Sequence, residues 1–464
     1  MKGLDRRAFT CPDSGAGCDT SVPARHVEEP DTAMSAPRTW RQRSPNRAVR
    51  LAVSGLFLEY PKTGTGRIAR QMVDYLSLDD RFVTDIVVND RGAVEAGLAE
   101  IDITTNAVST GNGELTGTTG GGATLELGRS ERVAQRRLVQ APMPPFRAGS
   151  YARKLYWEQV ALPATAARLS AQVLYSPHFS APVVCPCPTV ISVHDVIPLT
   201  DSAYAGSLQA KAYFKLVGLA ARRSAAVITL STFAKLEIQR LLGIDSGLIH
   251  VVEPGIGASF NSVPDPDGAA RARSRYGLPE RYMLYVGGAD ARKNIGTLLE
   301  AIAGLRVGSV PTLVVAAPVP KLGKEALFPD WRAQAVRLQL GDRVQFIERI
   351  AEEDLAVVYR EALLFVFPSR AEGFGLDPVE AMACGTPVVS SDSTSLPEAV
   401  GDAGILVSPD DIAGWAAAMV RLSEQADLRS RLSTAGLERA RRFSWQDTGA
   451  KVAEIIMGVA ACEC

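Results

Sequence analysis

The chain has 464 residues, 46% of them hydrophobic, and a net charge of −1. That supplies apolar material for two domains of ordinary size plus tails, and the near-neutral balance argues against a nucleic-acid partner. No run approaches the ~20 apolar residues that span a bilayer; the seven cysteines include the close pairs Cys11/Cys18, Cys185/Cys187 and Cys462/Cys464 but no C-x-x-C, so neither zinc ligation nor a disulfide framework is expected and a reducing cytoplasm fits.

Residues 1–47 are rich in Arg, Pro, Ser and Asp without apolar periodicity, and read as a disordered tail. Arg41, Arg43, Arg47 and Arg50 before the apolar Leu51–Leu58 imitate a signal peptide. The apolar part is short, ends in Glu59 and Tyr60, and lacks a small-residue cleavage site, so Ala48–Gly55 is expected to be a first strand. It runs into a loop with Gly64 and Gly66, then a helix with Ile68, Met72 and Leu76 at helical spacing. Strand, glycine loop and helix make a phosphate-type turn, although the dinucleotide string G-x-G-x-x-G is missing.

Asp85–Asn89 is a second expected strand. Ser109–Thr124, mostly Gly and Thr, marks a flexible loop placed at 107–130. The stretch after it is basic: Arg129, Arg132, Arg136, Arg137, Arg147, Arg153 and Lys154, offset only by Glu131. It reads as a solvated connector or as a peripheral membrane contact. Tyr156–Leu169 is expected to be a helix bent or split at Pro163. Val173–Ser176 and Thr189–Val193 are buried strands; His178 follows the first, and His194 and Asp195 the second. In open α/β sheets ligands collect outside the carboxyl ends of strands, which makes His194 a candidate. Val227–Leu230 is a strand, Ser231 caps the next helix, and Ile249–Val252 with His250 leads to Glu253-Pro-Gly-Ile256.

Residues 261–274 read as a linker, with Pro264, Pro266 and Gly268. The D-x-D formed by Asp265 and Asp267 is read as chance, because no strand precedes it. Arg281–Val286 is a strand ending in Gly287 and Gly288, followed by Arg292, Lys293 and a helix. A fixed cation at such a turn stabilises charge developing on phosphate oxygens. Thr312–Ala316 and Val344–Ile347 are strands, and Asp354–Tyr359 opens a helix.

Leu363–Val407 carries the densest signal. A buried strand ends at Pro368, and the loop holds Glu372, Gly373, Phe374 and Gly375. Asp377 and Pro378 are expected to open a helix as N-cap and first residue, with Gly385 ending it before the strand Val388–Ser390. Free N–H groups at a helix start make an anion cradle, and Glu372 and Glu380 beside it suit sugar hydroxyls. Asp377-Pro-Val-Glu380 equally fits a capping box. Ala413–Leu437 is expected to be helical, and a closing helix starts near Phe443.

E-G-F-G-L-x-x-x-E-A-M-A-C-G-x-P-V-V resembles the signature of the family 4 retaining glycosyltransferases of GT-B fold. Y-V-G-x-x-x-x-R-K-N, V-H-D-x-I-P-L and T-G-T-G-R are similar to further strings of that family, over about residues 48–460. The resemblance implies two doubly wound parallel-sheet, Rossmann-like α/β domains facing across a cleft: 48–260 on the acceptor side and 275–440 on the nucleotide-sugar side, with 441–464 crossing back to the first. It implies a hexosyl transfer from a nucleotide diphosphate sugar to a hydroxyl acceptor on a glycan, lipid-linked sugar or small molecule, with no metal and no other cofactor. Lys293 would meet the diphosphate, Glu372 the sugar hydroxyls and Glu380 the ribose diol. Gly373, Phe374, Gly375 and Leu376 would offer backbone N–H groups, and His194 would orient the sugar. Gly64, Gly66 and Arg67, with Gly287 and Gly288, would face the substrates. Many relatives have an arginine where this chain has Gly288, and Arg292 would supply that charge or point to solvent. The T-G-T-G-R and V-H-D-x-I-P-L strings lean towards mannose from GDP-mannose; cysteine usage points to the cytoplasm, and the basic stretch to its membrane face if it makes that contact. The rival readings are a nucleotide-sugar epimerase or phosphorylase of the same fold, and a non-catalytic binding protein.

Overall fold

The computed structural model describes residues 48–59, 64–89, 136–142, 150–200, 208–318 and 327–462. The expected tail, the 107–130 loop and Arg129, Arg132 and Arg147 lie outside them. Two all-parallel sheets organise the described chain. The first has the order β3-β2-β1-β4-β5-β6-β7. Its strands are β1 Val49–Ser54, β2 Phe82–Val88, β3 Arg136–Gln140, β4 Val173–Ser176, β5 Thr189–Ser192, β6 Ala226–Thr229 and β7 Ile249–Val251. The second has the order β10-β9-β8-β11-β12-β13. It consists of β8 Tyr282–Val286, β9 Thr312–Ala316, β10 Val344–Ile347, β11 Leu364–Phe367, β12 Val388–Ser391 and β13 Ile405–Val407.

In both sheets the order reverses between two central strands, β1/β4 and β8/β11. Loops leaving the carboxyl ends of those strands diverge, and the crevice between them is where such folds bind ligands. The central strands are largely apolar because helices cover both faces. Leu364, Phe365, Val366 and Phe367 are all fully buried, and Tyr285, Phe365 and Phe367 stack along the sheet with centroids about 6 Å apart.

The structure corrects several expectations. Arg136–Gln140, part of the expected basic connector, is an edge strand pairing β2 from Thr84↔Arg136 to Val88↔Gln140. Its Arg137 forks onto Asp85 at 2.7 and 2.9 Å, so charges that read as solvated have an internal partner. The expected linker is largely the helix Pro266–Tyr276, capped by Asp265, whose carboxylate accepts from the Gly268 N–H at 2.9 Å. Asp265 of the D-x-D is thus an N-cap. The helix expected over 413–437 is two, Ile412–Glu424 and Ala426–Ala440, broken at Gln425. Before Pro163 the chain forms a π-turn, Trp157–Ala161, then resumes as Leu162–Arg168. A proline that removes an N–H and crowds the preceding carbonyl is accommodated by such a wider turn.

The closing helix, Trp445–Ala461, does cross back to the first sheet's lobe. Gly449 lies so close to the Tyr75 ring that a β-carbon there would overlap it, and Glu454 pairs with Arg81 at 2.5 Å. Among the described residues no helix is long and apolar enough to cross a membrane.

Candidate active site

The turn after β8 and the loop after β11 meet at the second sheet's crevice. Gly287 has a φ of +155°, and a β-carbon there would stand 2.9 Å from the Tyr285 hydroxyl. That hydroxyl donates to the Gly288 carbonyl at 2.7 Å, tying the turn to its own strand. Asn294, at φ 57°, reverses the chain after Lys293 and donates to the Pro368 carbonyl at 3.1 Å. The two loops are therefore fixed to each other, and Lys293 is held on one side of the crevice.

Three groups converge on one carboxylate oxygen. Glu372 Oε1 accepts from Lys293 Nζ at 2.7 Å and from Ser369 Oγ at 2.6 Å, and pairs with Arg292 at 2.9 Å. Loss of water alone would raise the Glu372 pKa; Lys293 and Arg292 outweigh that and lower it to about 2. Arg292, whose role the sequence left open, turns into the site: it also donates to the Ala371 carbonyl and meets Asp290 at 3.4 Å. Two cations are thus held on one buried carboxylate, with Asp290 balancing part of the Arg292 charge.

Gly375, at φ +110°, caps the helix Leu376–Ala383. The helix thus starts earlier than expected, and Asp377 is its second residue instead of its cap. Only glycine takes that backbone comfortably, and a β-carbon would sit 2.5 Å from Leu396 Cδ2. No side chain caps this N-terminus, so the capping-box alternative is not formed. Its N–H groups and the dipole's positive end favour an anion. Gly385 ends the helix at φ +81°, with the Thr386 N–H on the Ala381 carbonyl, as expected.

Glu380 is buried and pairs with Arg67 of the helix Gly64–Leu78 at 2.7 Å, across the crevice. Burial raises its pKa to about 7, aided by Asp377 and opposed by Arg67. Its Oε2 has no hydrogen-bond partner among the described residues. Asp377 stands between the two charge groups: its pKa is raised by loss of water, with Lys293 and Arg67 pulling the other way. Sequence reading missed its place because an Asp before Pro looks like a cap.

His194 lies opposite. The Gly373 α-carbon packs so tightly on it that a β-carbon would stand 2.5 Å from the His194 carbonyl oxygen. Burial lowers the His194 pKa to about 4, and among the described residues nothing reaches its Nε2. A neutral imidazole whose buried nitrogen has no partner among the described residues keeps one hydrogen bond to give or accept. Asp195, next to it, has its pKa raised by burial, countered by the Ile197 N–H and Arg292. His178 is fully buried and accepts or donates on Ser176 at 3.1 Å. Phe374 stacks edge-on against Phe443, ring centroids 5.3 Å apart, at the start of the crossing helix.

The structure thus gathers Lys293, Arg292, Glu372, Gly373 and His194 at one point, with Arg67 and Glu380 bridging the crevice. Gly287 and Gly288 shape the turn below Lys293, Gly375 and Leu376 open the helix, and Gly66 is buried in its own helix. Gly64 stands apart: a β-carbon there would meet nothing within 4 Å. Ser395 was not anticipated. Its hydroxyl reaches the Glu372 and Phe374 carbonyls at 2.8 and 3.0 Å, and nothing short of the fold brings it there.

Comparison with known proteins agrees with this architecture. The family model "Glycosyl transferases group 1" matches residues 269–439, and "Glycosyltransferase Family 4" matches 119–260. The chain is 33% identical over 226 residues to O-antigen chain mannosyltransferase B of Escherichia coli, covering 48% of this chain and 57% of that one. It is 36% identical over 228 residues to D-inositol 3-phosphate glycosyltransferase of Streptomyces bingchenggensis, covering 47% and 50%. The chain spans about half the length of the curated relatives it matches. In three dimensions it is similar to sucrose-phosphate synthase from Thermosynechococcus elongatus, with a TM-score of 0.65 at 21% identity over 89% of this chain and 100% of that one. Two group 1 and family 4 matches laid end to end over two parallel-sheet lobes place this chain among the family 4 glycosyltransferases of GT-B fold.

Proposed function

We propose that the chain transfers a hexosyl group from a nucleotide diphosphate sugar to a hydroxyl acceptor with retention of anomeric configuration. The observation that carries this is the convergence of Lys293 and Arg292 on Glu372 beside an uncapped helix N-terminus. The diphosphate lies against Lys293 and the N–H groups of the Gly373–Leu376 turn. Glu372 accepts from the sugar hydroxyls, and Glu380 takes the ribose diol. In the transfer the bond from the anomeric carbon to the diphosphate oxygen breaks, and charge grows on that oxygen. Lys293 and the amides stabilise it. The acceptor oxygen bonds to the same face of the sugar, and its proton passes to the departing phosphate. His194, neutral, orients the sugar through its unpartnered nitrogen. The cationic part is filled by Lys293 and Arg292, so no metal is required.

The mannosyltransferase among the relatives supports mannose as the first sugar to test. The acceptor is a hydroxyl on a glycan, lipid-linked sugar or small molecule. The test is a panel of nucleotide sugars, read first by thermal shift and then by nucleotide release with and without candidate acceptors. Release that depends on acceptor, with an anomeric product matching the donor, supports the reading. Conversion of donor without acceptor favours an epimerase, and binding without turnover favours a non-catalytic protein.

A further inference from the structure

The two lobes touch at a second point, outside the charged cluster. The helix Thr232–Leu242 belongs to the first lobe, and its N-cap is Ser231. An α-helix leaves its first N–H groups without internal partners. Here three of them are satisfied. The Ala234 N–H goes to Ser231 Oγ at 3.1 Å, which is an ordinary cap. The Thr232 and Phe233 N–H groups go to Glu398 at 2.7 and 2.6 Å, and Glu398 belongs to the second lobe. Ser231 Oγ in turn donates its proton to the Gly373 carbonyl at 2.8 Å. One short segment, Ser231–Phe233, thus grips both Glu398 and the loop that carries Glu372.

Glu398 is rigidly joined to that loop. Four residues before it, Thr394 Oγ1 accepts from the Glu372 N–H at 3.0 Å. Ser395 Oγ holds the Glu372 and Phe374 carbonyls. Behind it, Arg439 donates to the Ala399 carbonyl at 3.1 Å and to the Glu398 carbonyl. Thr394–Glu398 is therefore a clamp whose one end fixes the Glu372 backbone and whose other end reaches the first lobe.

We infer that Glu398 is a positioning residue: a latch whose carboxylate closes the lobes on the helix Thr232–Leu242 and so presses Gly373 and Glu372 against His194. The pairing is charge-assisted at both N–H groups and aligned with the helix dipole, so it outweighs a neutral contact of the same area. In an open state the two N–H groups and the carboxylate return to water, and the Gly373 carbonyl loses Ser231.

Closure is read directly and without any donor. Small-angle scattering of the full chain should give a larger radius of gyration for Glu398→Ala than for wild type, with Glu398→Gln in between. The consequence for turnover rests on the transfer reading above: in Glu398→Ala the donor KM should rise roughly tenfold or more, as expected for losing charge-assisted hydrogen bonds, while Tm changes little. Ser231→Ala should move the same two readouts the same way. Unchanged scattering and KM in Glu398→Ala, with a lowered Tm, would make Glu398 a structural cap and overturn the latch. If Glu398→Ala does not fold, Glu398→Gln carries the comparison. If no nucleotide sugar is turned over by wild type, the transfer reading fails, and the scattering still decides the latch.

Discussion

Arg67 and Glu380 stand 2.7 Å apart on opposite sides of the crevice, and the second oxygen of Glu380 has no partner among the described residues. In the proposed cycle the ribose diol takes Glu380, so Arg67 must share or yield it. The pair joins the two sides of the crevice, and in the proposed cycle it ties donor binding to the contact between lobes.

The protonation of Glu380 is the first measurable consequence. Its pKa is raised to about 7, by burial first and then by Asp377, with Arg67 opposing. Ionised Glu380 accepts two hydroxyl protons from a diol, and neutral Glu380 does so poorly. Donor affinity measured by calorimetry should therefore rise as pH increases through about 7. In Arg67→Met the midpoint should move to higher pH, because the group that lowers the Glu380 pKa is gone. A pH-independent affinity between about 6 and 8 would remove Glu380 from the donor site.

The same shift bears on stability. A carboxyl whose folded pKa lies above its unfolded value binds more protons when folded. Unfolding free energy then falls as pH rises from about 4.5 to about 7 and stays reduced above that. Glu380→Gln should flatten that part of the Tm-versus-pH curve and should gain on wild type as pH increases. A Tm difference that does not vary with pH would contradict the raised pKa.

Lys293→Ala should lower kcat by roughly 10²–10³, as for losing one oxyanion-type donor. Glu372 keeps Arg292 and Ser369, so the fold should survive, and circular dichroism checks this. A loss under about tenfold, ~1.4 kcal/mol, would place Lys293 away from the breaking bond.

Gly373→Ala tests the crevice geometry without touching a charge. A β-carbon would stand 2.5 Å from the His194 carbonyl oxygen, a backbone atom that cannot swing aside. The loop must retreat, carrying Glu372 with it. Activity should fall at least tenfold, since ångström-scale misplacement of a catalytic group costs about 10², while Tm shifts by a few degrees at most. Wild-type activity in this variant would show that Gly373 and His194 need not meet.

Chelation is the last test. With two cations built into the loop, turnover should be unchanged after exhaustive dialysis against EDTA. Activity lost to EDTA and restored by a divalent ion would mean that Lys293 and Arg292 do not suffice for the diphosphate.

Much of this was legible along the chain. Short apolar runs ending in Gly, Pro or Ser fixed strands such as Leu364–Phe367 and Thr312–Ala316, because a buried parallel strand needs apolar residues on both faces and a breaker at its end. Alternation of such strands with helical periodicity gave the two-sheet class. The glycines of the loop after β11, the two glutamates and Lys293 were visible because their spacing is local: one turn of loop and one turn of helix set it. The edge strand Arg136–Gln140 was invisible because its Arg137 is neutralised by Asp85, 52 residues earlier in the chain. The helix start at Gly375 was missed for a related reason: a left-handed glycine decides it, and the Asp-Pro pair after it looks like a better cap. Which charges meet was likewise beyond the sequence. Arg67 finds Glu380 and Glu398 finds the helix Thr232–Leu242 only when two lobes, each folded on its own parallel sheet, are set face to face. Local spacing determines the parts of a loop. The partner of a buried charge is chosen by whatever the other lobe brings within 3 Å, and that is a property of the tertiary structure alone.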